Sequence, residues 1–85
     1  MFKNKTSDGR LNISGAKIAQ LRQALPGNVS QRALADQLQL AGVDLGKNAI
    51  QKIESGERFV TDIELKALAK VFGVTADELL TEEYG

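Results

Sequence analysis

The stretch from Val29 to Gly56, VSQRALADQLQLAGVDLGKNAIQKIESG, constrains the fold more than any other part of the chain. It opens on a helix-start residue, Ser30, and then places Ala33, Leu34 and Leu38 on a helical period. Gly42 breaks that helix, and a second one follows from Lys47 to Ser55. Ile50 and Ile53 share one face of it, and Lys47, Asn48, Gln51 and Lys52 share the other. A short helix with one apolar face and one face of amides and amines is a shape the DNA major groove accepts. Periodicity alone favours a plainer reading, an ordinary amphipathic helix with a solvated polar face.

The order of the residues adds to this. The stretch resembles the Cro/cI-type helix-turn-helix family, also called lambda repressor-like or XRE-like. The family pattern is Ser/Thr-Gln-x-x-Leu-Ala, a turn, then a helix ending Ile-x-x-Ile-Glu-x-Gly. Here the two halves are Ser30-Gln31-Arg32-Ala33-Leu34-Ala35 and Ile50-Gln51-Lys52-Ile53-Glu54-Ser55-Gly56. The resemblance covers residues 14–80. It implies an all-α fold, a five-helix lambda repressor-like DNA-binding domain with its recognition helix at 47–55. Residues 1–13 are then a flexible N-terminal arm and residues 81–85 a C-terminal tail. The chain departs from the commonest pattern between the second and third helices. The segment from Gln39 to Gly46 makes the connection about five residues longer than the usual turn. A subset of the family shows a similar apolar-Gly-apolar-Asp-apolar insertion. Leu40, Val43 and Leu45 are apolar enough to fold back onto the core.

Local signals place the remaining elements. Ser14 reads as the N-cap of a first helix over 15–25, with Ile18, Leu21 and Leu25 on one stripe and Pro26-Gly27-Asn28 ending it. The second helix is expected from Gln31 to Ala41, with Ala35 at a small position against the third. Gly56 is a good residue to end the third helix. Thr61-Asp62-Ile63-Glu64 is a capping box opening a fourth helix to Phe72, which buries some of Ile63, Leu65, Leu68, Ala69 and Phe72. Gly73 stops it, and a second box, Thr75-Ala76-Asp77-Glu78, opens a short fifth helix ending at Leu79-Leu80. The polar residues 1–12 read as a mobile arm with a short extended piece at 11–13. Lys3, Lys5 and Arg10 within it are read as solvated.

Composition bounds the chemistry. Eighty-five residues make one small domain. With no Cys and no His there is no thiolate or imidazole chemistry, no usual zinc site and no disulfide framework. No glycine-rich phosphate loop appears, and Asp44, Glu54 and Glu57 are spaced as caps and ion partners rather than as an acid/base pair. Neither an enzyme nor a cofactor is expected, no small-molecule site is evident, and the expected location is the cytoplasm. The N-terminus carries no apolar run of the signal-peptide kind, and no segment is long enough to span a membrane. Net charge is zero, but the charges are unevenly placed. Residues 1–58 hold nine Lys/Arg against five Asp/Glu, and residues 59–85 hold two against six. A basic half can lie on phosphates while an acidic half points away.

The resemblance and the charge pattern together name candidate site residues. Lys47, Asn48, Gln51 and Lys52 are the expected readers of base edges. Lysine suits the N7/O6 edge of guanine and asparagine the N6/N7 edge of adenine. Gln31 at the start of the second helix, Arg32 beside it and Arg58 are the expected phosphate ligands. The resemblance further implies an ion pair between Arg22 and Glu54, tying the first helix to the third. Its expected partner is double-stranded operator DNA, bound by a sequence-specific regulator for which repression is the expected sign. Homodimers on two half-sites about one helical turn apart are the family's usual assembly. The exposed parts of helices four and five, with Tyr84, are the candidate surface. The competing expectation is a protein-interaction module on the same fold, an antitoxin or adaptor with little DNA binding.

Overall fold

A computed structural model describes residues 5–81. Within them lie five α-helices: α1 (Gly15–Ala24), α2 (Gln31–Leu40), α3 (Lys47–Ser55), α4 (Asp62–Phe72) and α5 (Ala76–Leu80). No strand occurs among the described residues, as the all-α expectation requires. Lys3, read above as solvated, and Tyr84, named for dimer contacts, lie outside the described residues.

Most helix ends have a local chemical cause. The Ser30 hydroxyl accepts from the Ala33 N–H at 3.0 Å and starts α2. Thr61 and Glu64 close the expected capping box. The Thr61 hydroxyl accepts from the Glu64 N–H at 3.2 Å, and the Glu64 carboxylate accepts from the Thr61 N–H at 3.0 Å. The second box forms only in part. The Thr75 hydroxyl accepts from the Glu78 N–H at 3.1 Å, but the Glu78 carboxylate faces that hydroxyl rather than the Thr75 N–H. α3 ends where Gly56 takes a left-handed φ of 84°. That turn brings the Glu57 N–H to the Lys52 carbonyl at 2.8 Å and the Gly56 N–H to the Ile53 carbonyl at 3.1 Å.

The start of α1 differs from expectation. The Ser14 side chain makes no cap bond; its backbone is already helical and the residue is buried. The carbonyl oxygen of the Asn12 side chain instead accepts from the Gly15 N–H at 2.8 Å. The preceding segment, expected to be mobile, is bonded to α3 rather than loose. The Leu11 N–H donates to the Gly56 carbonyl at 2.8 Å, and the piece expected to be extended at 11–13 is a bend. Arg10 pairs with Asp8 at 3.0 Å, and Asp8 also accepts from the Thr6 hydroxyl.

The core draws on every helix. Ile18, Leu34, Leu38, Ile50, Ile53, Leu68 and Leu79 are all essentially inaccessible to solvent. Burying each contributes about 1.5–3 kcal/mol, so the two isoleucines anchor the inner face of α3 firmly. α3 packs against α1 and α2, while α4 packs against α5, α2 and α1. The long connection sends Leu45 fully into the core and Val43 partly, but not Leu40, which is 91% exposed. Leu40 stands two positions beyond buried Leu38, roughly 200° around the helix and so on its opposite face. Ile63 is 70% exposed for the same reason. It sits two positions before Leu65, on the far side of α4 from Leu65, Leu68, Ala69 and Phe72.

Candidate nucleic-acid interface

α3 turns Ile50 and Ile53 inward, which puts the residues opposite them outward. At roughly 100° per residue, Lys47, Asn48, Gln51, Lys52 and Ser55 fall within about 140° of arc. All five are exposed. The side chains of Lys47, Asn48, Gln51 and Lys52 make no hydrogen bond or ion pair with another described residue. The Ser55 hydroxyl is turned aside, donating to Glu57 at 2.6 Å. The outer face of α3 is therefore a row of two amides and two ammonium groups open to a partner. Its N-terminal end follows Gly46, which supplies no side-chain cap. The first N–H groups of the helix and its positive dipole end thus stand beside Lys47 and Asn48.

Of the residues expected on phosphates, only Arg32 is exposed and unengaged. It borders a shallow cleft of ≈ 260 Å³ between α2 and the start of α3, together with Lys47, Asp36 and Asp44. Two cations and two carboxylates share this cleft, so it carries no net positive charge. Gln31 is half-buried, and its side-chain N–H donates to Glu54 at 2.9 Å. That bond uses one of the two amide hydrogens and leaves the other.

Arg58 is already engaged within the chain. Its guanidinium sits bidentate on Glu64, at 2.9 and 3.0 Å, and also donates to the Phe59 carbonyl at 3.0 Å. A phosphate would have to compete with Glu64 for it. The pairing leaves its mark on both groups. Arg58 holds Glu64 below the usual carboxylate range, with the Thr61 N–H assisting against the cost of burial. Glu64 in turn pushes Arg58 above its ordinary value. No local signal separates such an arginine from a free one, although a glutamate six residues on, at the third position of a capping box, is a near neighbour across the turn.

Arg22 and Glu54, paired by the resemblance, lie side by side. Arg22 Nε is 2.7 Å from Glu54 Oε2 and Nη2 is 3.0 Å from Oε1, while Nη1 donates to the Val29 carbonyl at 2.9 Å. Their side chains are 13% and 8% exposed. Bonding to Glu54 raises Arg22 above its usual value against the cost of burial. With Gln31 on the same carboxylate, one glutamate of α3 joins α1 and α2, and Arg22 carries the link on to the 25–30 turn.

Asn12 lies within the polar stretch 1–12 that the sequence marks only as an arm. Its side-chain nitrogen lies 3.0 Å from the Ile53 carbonyl and 2.7 Å from the Arg58 carbonyl. Gly15 completes this contact: a Cβ there would stand 2.2 Å from the Ile53 carbonyl oxygen. Only a glycine lets α1 approach the end of α3 so closely.

Comparison with known proteins agrees with this geometry. A family model described as helix-turn-helix matches residues 18–79. The chain is similar to the HTH-type transcriptional activator BcrR of Enterococcus faecalis, 40% identical over 67 residues. The match takes in 79% of this chain but 29% of that protein, so the chain spans under a third of the relative's length. No solved structure matches.

Proposed function

The chain belongs to the XRE-type helix-turn-helix family of DNA-binding transcription regulators, and on that premise we propose that it reads a specific double-stranded sequence with the outer face of α3. The observation that carries the reading is that face itself. Lys47, Asn48, Gln51 and Lys52 are exposed and unpartnered while Ile50 and Ile53 of the same helix are locked in the core. A helix of nine residues is about 13 Å long, enough to cross a major groove about 12 Å wide. Lys47 and Asn48, in its first turn, enter deepest and read base edges. Gln51 and Lys52 follow one turn later.

Phosphate contacts supply affinity without sequence information. Arg32 is the strongest candidate for this role, and Gln31 joins it through its remaining amide hydrogen. Holding that amide on Glu54 fixes its direction before DNA arrives, which lowers the entropy lost on binding. Arg58 enters the set only by leaving Glu64.

Two chains bound together would place their α3 helices on half-sites about 34–36 Å apart. Ile63 on α4 and Leu80 on α5 are exposed apolar residues that support such pairing. The sign of regulation follows from where the bound site lies relative to a promoter. Repression is what the resemblance suggests, whereas the relative is named for activation. No helix of the described residues is long and apolar enough to cross a membrane, in keeping with action on cytoplasmic DNA.

Fluorescence anisotropy tests the reading. The chain is titrated onto duplex from its own upstream region and onto a scrambled duplex, at several salt concentrations. Tighter binding to its own region with a steep salt slope is expected. Binding to neither at low salt would instead favour a protein-interaction module.

A further inference from the structure

We propose that Asn12 is the positioning residue that fixes the angle at which α3 meets DNA. This rests on the reading of α3 as the DNA-facing helix. The Asn12 side-chain amide bonds three different segments, with both of its N–H donors in use. Its oxygen accepts from the Gly15 N–H and caps α1. Its nitrogen donates to the Ile53 carbonyl in the last turn of α3 and to the Arg58 carbonyl in the loop beyond. The nitrogen faces two acceptors and the oxygen one donor, so the partners themselves settle the orientation of the amide. Aspartate lacks the donors, serine has a single hydrogen, and glutamine is one carbon too long.

The surroundings make this joint stiff. Gly15 packs on the Ile53 carbonyl with no room for a methyl group. The Leu11 N–H holds the Gly56 carbonyl at 2.8 Å. The other end of α3 follows the six-residue connection 41–46 and has no side-chain cap. The helix is thus set in direction from its C-terminal end. A swing of roughly 10° about that end displaces the first turn, about 13 Å away, by about 2 Å. Hydrogen bonds to base edges tolerate only about 0.5 Å in length. Asn12 touches no base, yet it governs whether Lys47 and Asn48 reach theirs.

The test uses the whole chain with Asn12→Ala and Asn12→Asp. The aspartate keeps the acceptor that caps α1 and loses both donations, so it separates capping from positioning. The first readout needs no DNA: residual dipolar couplings of backbone amides, recorded well below the unfolding temperature. In both variants the couplings of α1, α2 and α4 are expected to fit the wild-type frame while those of α3 do not. The second readout is anisotropy on a duplex selected by the wild-type chain from a random pool, against a scrambled duplex. The preference for the selected duplex is expected to fall about tenfold in both variants, the discrimination carried by one bidentate base contact. Binding of Asn12→Ala to scrambled duplex should change by less than about twofold, since no phosphate contact is removed.

The proposal is overturned if α3 fits the wild-type frame along with the other helices, or if Asn12→Asp keeps the wild-type preference. Should Asn12→Ala not fold, Asn12→Asp carries both readouts, because its carboxylate keeps the α1 cap while it repels the Ile53 and Arg58 carbonyls that the amide holds. A wild-type chain with no preference between duplexes would defeat the DNA reading instead, and the couplings would still decide the role of Asn12.

Discussion

The two ends of α3 are built on different terms. At the C-terminal end, Ile53, Glu54 and Gly56 receive five hydrogen bonds from the N-terminal segment, α1 and α2. At the N-terminal end no side chain caps the helix, and Lys47 and Asn48 point into solvent. The first end spends its polar groups internally, and the second leaves them for a partner. A helix that reads DNA needs both: unsatisfied groups to offer, and a mount that keeps them in register. The contrast predicts that substitutions at the held end change folding and those at the open end change binding alone.

The largest effect is expected from Arg22→Ala. Removing one partner leaves the Glu54 carboxylate, whose side chain is 8% exposed, with no counter-charge and only the Gln31 amide. Such a loss costs about 3–5 kcal/mol, much of the stability of a small domain. Urea unfolding of wild type and variant measures it. Replacing both partners, with Arg22→Met and Glu54→Leu together, should recover most of the loss because no charge is then left buried. A single variant that loses less than about 1 kcal/mol, the range of exposed pairs, would mean that packing alone mounts the helix.

At the open end, Asn48→Ala should cost about 1–3 kcal/mol on the preferred duplex. It should leave unfolding within about 0.5 kcal/mol of wild type, as for other surface changes. Anisotropy on matched and scrambled duplex, beside the same urea series, reads both quantities. Equal losses on the two duplexes would remove Asn48 from base reading, and a destabilised fold would erase the contrast between the ends.

This division explains what could be read from sequence. Each helix was placed to within about a residue, because the signals are local: Ser30, Thr61 and Thr75 bond to N–H groups three residues on, and Gly56 takes a φ that other residues resist. The open face of α3 was legible for the same reason, since spacing alone puts four polar residues opposite two isoleucines. The held end was legible only where a family pattern named it, at Arg22 and Glu54. Only the cap that Asn12 gives the Gly15 N–H, three residues on, is local; its other two partners lie 41 and 46 residues away and left no signal. Ser14 misled because its type suits a cap, whereas the bend places the side chain of Asn12 over the free N–H of α1. Leu40 shows the limit of composition: its apolarity suggested the core, and its angle on α2 turned it to water. Arg58 shows the limit of charge, since a cation near the interface is available only if no carboxylate has claimed it.

That last point sets a smaller prediction on affinity. Arg32→Ala should lower the slope of log K against log salt by about one unit, the share of a single phosphate contact. Arg58→Ala should leave the slope nearly unchanged, because Glu64 already neutralises the charge. An equal fall in both would mean that Arg58 exchanges Glu64 for a phosphate on binding, and the boundary of the open surface would move outward to include it.

The Arg58–Glu64 pair also supplies the smallest effect, on acid stability. It is more exposed than the Arg22 pair, with side chains at 34% and 13%, so its contribution is about 1 kcal/mol or less. Arg58 holds Glu64 below its ordinary value in the folded chain. A carboxylate depressed by folding stabilises the native state above its unfolded pKa and loses that contribution as pH falls through the folded value. The loss therefore begins as pH drops below about 4.3, the ordinary glutamate value, and continues downward. Glu64→Gln keeps an acceptor for Arg58 and Thr61 but cannot titrate. The difference in unfolding free energy between wild type and Glu64→Gln should be greatest near neutral pH and shrink across that acidic window. Asp8, lowered mainly by its bond from Thr6 and then by Arg10, titrates in the same range in both proteins and cancels in the difference. A difference that stays flat down to pH about 2 would place the stabilisation in hydrogen bonds that do not need the charge. Arg58 would then be held less firmly than the geometry suggests, and more readily given up to DNA.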